Sequence, residues 1–175
     1  MGTKRYELTE SEWKRIKDIL PPEHPKEGKR GRPAKCDNRT ALNGMLWIAR
    51  GGAPWRELPE RYGPWQTVYA RFRKWRDMGV FEAVFQTLSI DADFENISID
   101  STSCKVHQSA NYTIPPKESA AASWSVDWHT YKERHLVECF FQKLKWFRRV
   151  FTRYDKCDSS FLAFVYIGAI VILLK

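Results

Sequence analysis

The fold of this chain is decided by residues 62–76, which read Tyr62-Gly63-Pro64-Trp65-Gln66-Thr67-Val68-Tyr69-Ala70-Arg71-Phe72-Arg73-Lys74-Trp75-Arg76. Gly63 and Pro64 mark a turn, and a helix is predicted to follow them. The apolar residues recur at the helical period and form one stripe, made of Trp65, Val68, Tyr69, Phe72 and Trp75. Four cations lie off that stripe, namely Arg71, Arg73, Lys74 and Arg76. The segment therefore predicts an amphipathic helix with an aromatic inner face.

The basic residues of this helix allow two interpretations. A helix-turn-helix protein packs its recognition helix through an apolar face and presents cations to DNA. An ordinary amphipathic helix with a solvated basic face shows the same pattern. The pattern alone favours neither, so both interpretations stay open at this point.

Helical patterning continues toward the N-terminus. Thr9 and the glutamate three residues later form a capping box, which predicts a helix that stops at the prolines 21–22. A second helix is predicted after Cys36, capped by Asp37 or Asn38 and ending at the glycines 51–52.

Two shorter segments complete the first half of the chain. Residues 53–59 contain too much proline for a regular element and predict a packed turn. A short helix is predicted from Val80 to Leu88. Residues 1–90 are therefore predicted to form an all-helical domain.

The connector at residues 23–35 carries Arg30 and Arg32 in an Arg-Gly-Arg-Pro sequence. An extended segment of this kind can place its guanidinium groups in a narrow, A·T-rich minor groove. A flexible linker that contains some arginines is the alternative. The connector is therefore a candidate DNA contact.

Charge is distributed unevenly along the chain. The formal net charge is +8, of which residues 1–90 carry +7 and residues 91–175 carry +1. An excess of cations in the first half is expected where that half meets phosphate groups, although a solvated surface gives the same excess. A polyanionic partner such as double-stranded DNA is therefore one interpretation, and the charge alone does not decide between the two.

The second half changes in character. Residues 94–100 alternate between apolar and polar and predict a strand that ends at Asp100, and residues 101–109 could return as a second strand. A loop is predicted at residues 111–125, a long helix at 128–149 and a last helix at 159–174. The fold class is therefore α+β and mostly helical.

The apolar run at residues 161–174 and the cysteines bear on the environment of the protein. The run contains 14 residues, fewer than the roughly 20 that cross a bilayer, so a buried terminal helix is expected. The cysteines are widely spaced and show no metal-ligand pattern: Cys36, Cys104, Cys139 and Cys157. Free thiols in a bacterial cytoplasm are expected.

The strongest signal in the second half is a spacing. Tyr131, Arg134, Glu138 and Lys145 are separated by three, four and seven residues, which places them on one face of a helix. A carboxylate flanked by cations suits a metal ligand beside phosphates. An exposed helix with mixed charges is the alternative.

These four residues match the Y-(2)-R-(3)-E-(6)-K signature of DDE transposases from bacterial insertion sequences. The sequence of residues 147–156, which includes Arg148 and Arg149, also resembles that of DDE transposases from bacterial insertion sequences. Residues 42–44, 50–59 and 62–69 resemble the N-terminal domain of the IS-four/IS-five transposases, and Asp100-Ser101-Thr102 resembles the first catalytic aspartate with its neighbours. The resemblance covers nearly the whole chain.

The resemblance implies a ribonuclease-H-like catalytic domain in which three carboxylates hold two divalent ions, Mg²⁺ or Mn²⁺. Asp100 would be the first acid and Glu138 the third, both as catalytic residues and metal ligands. Arg134 and Lys145 would lie close to phosphates, and Tyr131 would help to position them. Arg148 and Arg149 would contact DNA.

The chain departs from the family pattern in one place. Only 37 residues separate Asp100 from Glu138, which leaves no room for the strand that carries the second aspartate. An internal deletion near residues 110–112 is inferred. Asp127 matches the start of a helix and is not expected to replace the missing ligand. Residues 91–175 would then be a truncated catalytic domain.

Three functions remain open from the sequence. The first is a transposase-derived protein that binds element ends but is catalytically impaired, and that could inhibit the full-length enzyme by occupying those ends or by mixed assembly. The second is a transposase that is still active with a third acid such as Asp127. The third is a non-enzymatic DNA-binding regulator, for which residues 1–90 would suffice.

Overall fold

The computed structural model describes residues 6–23, 36–91 and 138–175, and these residues form helices and turns without any strand. Residues 138–144 are the described part of α5. Two short 3₁₀ helices, Trp55–Glu57 and Glu60–Tyr62, lie between α2 and α3. The other helices are α1 (Glu10–Ile16), α2 (Asn38–Gly51), α3 (Trp65–Asp77), α4 (Val80–Asp91), α6 (Arg148–Phe151) and α7 (Asp158–Leu174). The strands predicted at 94–109 lie outside the described residues, so a ribonuclease-H-like part stays a prediction.

The start of α1 confirms the predicted capping box. The Glu12 backbone N–H donates to the Thr9 hydroxyl at 3.3 Å, and the Thr9 backbone N–H donates to the Glu12 carboxylate at 2.7 Å. The helix ends at Ile16, earlier than predicted. The Ile19 N–H then bonds the Ile16 carbonyl in a tighter turn, which still directs Leu20 into the core.

Both ends of α2 follow the sequence signals. The Asp37 carboxylate accepts from the Thr40 N–H at 2.7 Å, so Asp37 is the N-cap. Gly52 is the C-cap with a φ of 69°, in the left-handed region that favours glycine. A Cβ at this position would lie 2.9 Å from the Tyr154 ring and 3.2 Å from the Arg148 Cβ, so close packing also requires glycine.

The predicted aromatic stripe of α3 is confirmed. Val68, Phe72 and Trp75 are buried, and Trp65 and Tyr69 are partly buried against them. The predicted packed turn is also present, because the Trp55 ring in the first 3₁₀ helix lies 5.2 Å from the Phe72 ring. The turn between α2 and α3 is therefore part of the core.

Helix α7 lies at the centre of the described core. Eleven of its 17 residues are buried, and it packs against α2, α3, α4 and α6. Such burial accounts for a helix that is apolar on all sides, since no face needs to meet water. The predicted buried terminal helix is confirmed. No helix within the described ranges is long and apolar enough to span a membrane.

One hydrophobic cluster joins both ends of the chain. It runs from Leu8 to Leu88 in the first half and from Phe140 to Leu174 in the second. The Phe72 ring of α3 stacks on the Phe164 ring of α7 at 4.8 Å. The division into domains at residue 90 stays a prediction, because residues 92–137 lie outside the described part.

We predict that Phe164→Ala lowers the free energy of unfolding by about 3–5 kcal/mol, because it leaves a large cavity between α3 and α7. Urea denaturation measures this value. Phe151→Ala is the matched control, since the Phe151 side chain is 65% exposed, and we expect a change within about 0.5 kcal/mol. Equal losses in the two variants would contradict the central position of α7.

Candidate nucleic-acid interface

The exposed face of α3 carries two cations, Arg73 and Lys74. Both are exposed, and neither side chain makes an ion pair or hydrogen bond with another described residue. Ala70 lies one turn before them and Gln66 two turns before them, and both are exposed on the same side of the helix. Because the inner stripe holds α3 in the core, this face is presented to solvent in a fixed orientation.

The other two cations of α3 hold the helix in place. The Arg71 guanidinium donates to the Asn38 side-chain oxygen at 3.1 Å, which links α3 to the start of α2. The Arg76 guanidinium donates to the Asp77 carboxylate at 2.8 Å and to the Ser160 hydroxyl at 2.7 Å, which links α3 to α7. Both side chains are only partly exposed. The four sequence-predicted cations therefore divide into two that face solvent and two that join helices.

The two adjacent arginines at the start of α6 differ in their exposure to solvent. Arg148 is exposed, whereas Arg149 is only 8% exposed. The Arg149 guanidinium donates twice to the Asp155 carboxylate, at 2.8 and 2.9 Å, and once to the Ala53 carbonyl at 2.9 Å. It also lies over the Phe164 ring, 4.7 Å from the centroid. All three nitrogens are engaged inside the protein, so we leave Arg149 out of the proposed DNA-contacting set.

The helix that carries Glu138 ends earlier than predicted. Its last helical residue is 144, not 149. The Trp146 N–H bonds the Lys143 carbonyl and the Phe147 N–H bonds the Leu144 carbonyl, so the chain tightens into a turn. Phe147 has an extended backbone, with φ −88° and ψ 96°, and its ring enters the core. Burial of Phe147 thus takes precedence over continuation of the helix.

Glu138 and Lys145 are the only members of the spacing signature that the structure describes. Glu138 is half-buried in α5, and Lys145 is exposed at its end, where its N–H bonds the Phe141 carbonyl. The seven-residue step keeps both on one side of the helix. Asp100, Asp127, Tyr131, Arg134, Arg30 and Arg32 lie outside the described residues.

No metal-ligand cluster occurs within the described ranges, where no three His, Cys, Asp or Glu side chains come together. Cys36, Cys139 and Cys157 form no disulfide within the described part of the chain. Burial raises the pKa of the buried Cys36 thiol, whereas a hydrogen bond with Ser159 lowers the pKa of the exposed Cys157 thiol. The pKa values of Cys36 and Cys157 therefore move in opposite directions, and the described thiols form no metal-ligand set.

The sequence reasoning missed a group of exposed aromatic residues around α6. The aromatic stripe of α3 is packed in the core, whereas Trp146, Phe151 and Tyr154 are exposed. Arg50 lies nearby, with its guanidinium over the Phe147 ring at 4.4 Å. Burial lowers the pKa of the Arg50 guanidinium. The signal was available in the cations that alternate with these aromatic residues along the chain.

Within the described residues, these features define a helical protein in which α3 presents a basic face to solvent in a fixed orientation. The chain matches a family model over residues 8–85, and that model is described as "Putative transposase of IS4/5 family (DUF4096)". The match covers α1 to α4, including the whole of α3.

Individual relatives extend the similarity. Protein y4sN of Sinorhizobium fredii, which is uncharacterized, is 40% identical over 59% of this chain and 79% of its own length. The "Putative transposase for insertion sequence element IS6501" of Brucella ovis is 39% identical over 38% of this chain and 49% of its own length. A 16.2 kDa protein of insertion element IS402 from Burkholderia cepacia is 31% identical over 53% of this chain and 69% of its own length. No solved structure matches the chain. The chain belongs to the IS4/5 family of insertion-sequence transposases.

We predict that Asp155→Ala lowers the free energy of unfolding by about 3–5 kcal/mol, because it leaves the buried Arg149 guanidinium without its counter-charge. Asp158→Ala is the control, since it breaks the exposed pair with Arg153, and we expect a loss below about 1 kcal/mol. Both values come from thermal or denaturant unfolding. A loss at Asp155 no larger than that at Asp158 would return Arg149 to the set of candidate DNA contacts.

Proposed function

We propose that this chain is a shortened insertion-sequence transposase that binds the ends of its element through α3 and has lost most of its catalytic activity. The observation that carries the DNA-binding part is the exposed pair Arg73 and Lys74 on a helix whose other cations hold it in the core. Membership of a transposase family supports double-stranded DNA as the partner of that face.

The arrangement of α3 supports a helix-turn-helix type of contact. A recognition helix must present side chains to the groove while its opposite face stays packed. Helix α3 meets both conditions, because its aromatic stripe is packed in the core and the side chains of Arg73 and Lys74 pair with no other residue in the described part of the chain. Phosphates attract such cations without regard to sequence, and base edges supply specificity. Arg148 is a further exposed candidate, and Arg30 and Arg32 are proposed to reach the minor groove.

The proposed loss of activity rests on the number of carboxylates. A two-ion site needs ligands that bridge and orient both ions, and the resemblance leaves only Asp100 and Glu138 for this role. Two carboxylates suit one weakly held Mg²⁺ or Mn²⁺, because these ions prefer several oxygen ligands. Tyr131, Arg134 and Lys145 would then lie beside a site that cannot stabilise both the attacking and the leaving oxygen.

A regulator that inhibits the full-length enzyme is the second candidate function. Such a protein needs to occupy element ends without cutting them, or to enter a mixed assembly. The shared core favours a role for the whole chain, because residues 1–90 alone would expose the apolar surfaces that α7 covers. A fragment of residues 1–90 is therefore a poor test of binding, and full-length variants are needed.

We predict that the double variant Arg73→Ala/Lys74→Ala binds an element-end duplex more weakly and with a salt dependence reduced by about two phosphate contacts. Fluorescence anisotropy at several salt concentrations measures both effects. Lys14→Ala/Lys17→Ala removes two exposed cations of the α1 region and should leave the salt slope of binding unchanged. Similar losses in both double variants would point to general charge attraction and contradict a contact through α3.

We predict that the protein shows no nicking of a plasmid carrying element ends above the background of its Glu138→Ala variant, in either Mg²⁺ or Mn²⁺. The reason is the missing carboxylate, since the metal ions supply several kcal/mol of charge stabilisation in this reaction. Gel electrophoresis of supercoiled plasmid gives the readout. Metal-dependent nicking that disappears in Glu138→Ala would overturn the proposed impairment and favour an active enzyme.

A further inference from the structure

Exposed aromatic side chains are concentrated in one short segment. Six large hydrophobic side chains are exposed among the described residues, and three of them fall within residues 146–154. Trp146 is 67% exposed, Phe151 65% and Tyr154 57%. Clustered exposed apolar groups mark surfaces that meet a partner, whereas single ones need no explanation.

The local backbone explains why these rings point outward. Phe147 and Val150 are buried, so the inner side of α6 is already filled by their side chains. Arg148 and Phe151 are three residues apart on the outer side of the same turn of helix. Arg153 then adopts a left-handed backbone, with φ 47°, and Tyr154 follows it against Gly52.

Two of the outer side chains meet beside Gly52, and the others lie within a few residues of them along the chain. A Cβ placed on Gly52 would lie 3.2 Å from the Arg148 Cβ and 2.9 Å from the Tyr154 ring, so both side chains lie beside Gly52. Trp146 is two residues from Arg148, which limits their Cα separation to roughly 7 Å. We call the surface formed by Trp146, Arg148, Phe151 and Tyr154 the α6 aromatic surface.

Cations predominate in the segment that carries this surface, and the two nearby acids in the described sequence, Asp155 and Asp158, pair with Arg149 and Arg153. Residues 143–156 contain six cations, and their one acid, Asp155, is bound to Arg149. The exposed cations are Lys143, Lys145, Arg148, Arg153 and Lys156. A second copy of this chain would carry the same positive charge and be repelled. A polyanion that also offers flat apolar groups is complementary to both features.

We propose that the α6 aromatic surface binds unpaired bases of a DNA strand, with its rings stacked on the bases and the neighbouring cations on the backbone phosphates. Bases inside a duplex are stacked on each other and leave no face free, whereas an opened strand exposes every face. The proposal rests on the proposed function for its choice of DNA. It adds a single-stranded partner, bound separately from the duplex contact through α3.

The test compares a labelled single strand with a duplex of the same sequence by fluorescence anisotropy at one salt concentration. We expect Trp146→Ala to weaken single-strand binding about 5- to 100-fold, as loss of one stacked base predicts, and duplex binding less than about twofold. Trp146→Phe keeps a ring and should retain most of the affinity. Phe151→Ala should act like Trp146→Ala, and Ile90→Ala, which changes a side chain 74% exposed near the end of α4, should change neither affinity.

Three results would overturn the proposal. They are undetectable single-strand binding by the unaltered protein, equal losses on both probes, and a self-association in analytical ultracentrifugation that Trp146→Ala abolishes. The last would assign the surface to a second copy. The Arg73→Ala/Lys74→Ala variant tests the α3 contact separately. If α3 does not contact DNA, this variant binds the duplex as the unaltered protein does. That result would not change the expected effect of Trp146→Ala on single-strand binding.

Discussion

The stacking of Phe164 on Phe72 joins the two ends of this chain, and the rest of the structure depends on it. Phe164 lies on a helix that is apolar on every side and is stable only when surrounded by protein. Helices α2, α3, α4 and α6 provide those surroundings. The free energy gained by burying this helix offsets the conformational entropy that is lost when chain segments far apart in sequence become ordered.

Polar contacts then set the orientation of the helices around α7. Arg76 bonds Ser160 near the start of α7, and the Arg15 guanidinium reaches the last carbonyls of that helix, where a cation complements the helix dipole. Arg149 connects α6 to the turn after α2 through Asp155 and the Ala53 carbonyl. Hydrophobic burial is non-directional, so these bonds determine which face of α3 is left for a partner.

The sequence predicts the local features well because their causes are local. The capping box at Thr9, the cap at Asp37 and the stop at Gly52 each depend on residues within one turn. The inner stripe of α3 follows from its period alone. By contrast, Arg148 and Arg149 have the same chemistry and adjacent positions, and only the tertiary partner Asp155 separates an exposed cation from a buried one. The end of α5 at residue 144 has a similar cause, since Phe147 leaves the helix to fill a core built by α7.

The position of the core also bears on the proposed function, in which a binding face persists while catalysis is impaired. The described core draws on residues 8–88 and 140–174, which lie on opposite sides of the deletion inferred near residues 110–112. Each side contributes helices to this core, among them α3 with Phe72 and α7 with Phe164. Catalysis by a carboxylate cage tolerates no such deletion, because one missing ligand changes the charge and geometry felt by both ions. Under the proposed function, binding and catalysis therefore have different physical requirements, and the inferred deletion would remove a carboxylate ligand while leaving the packing that presents α3 intact.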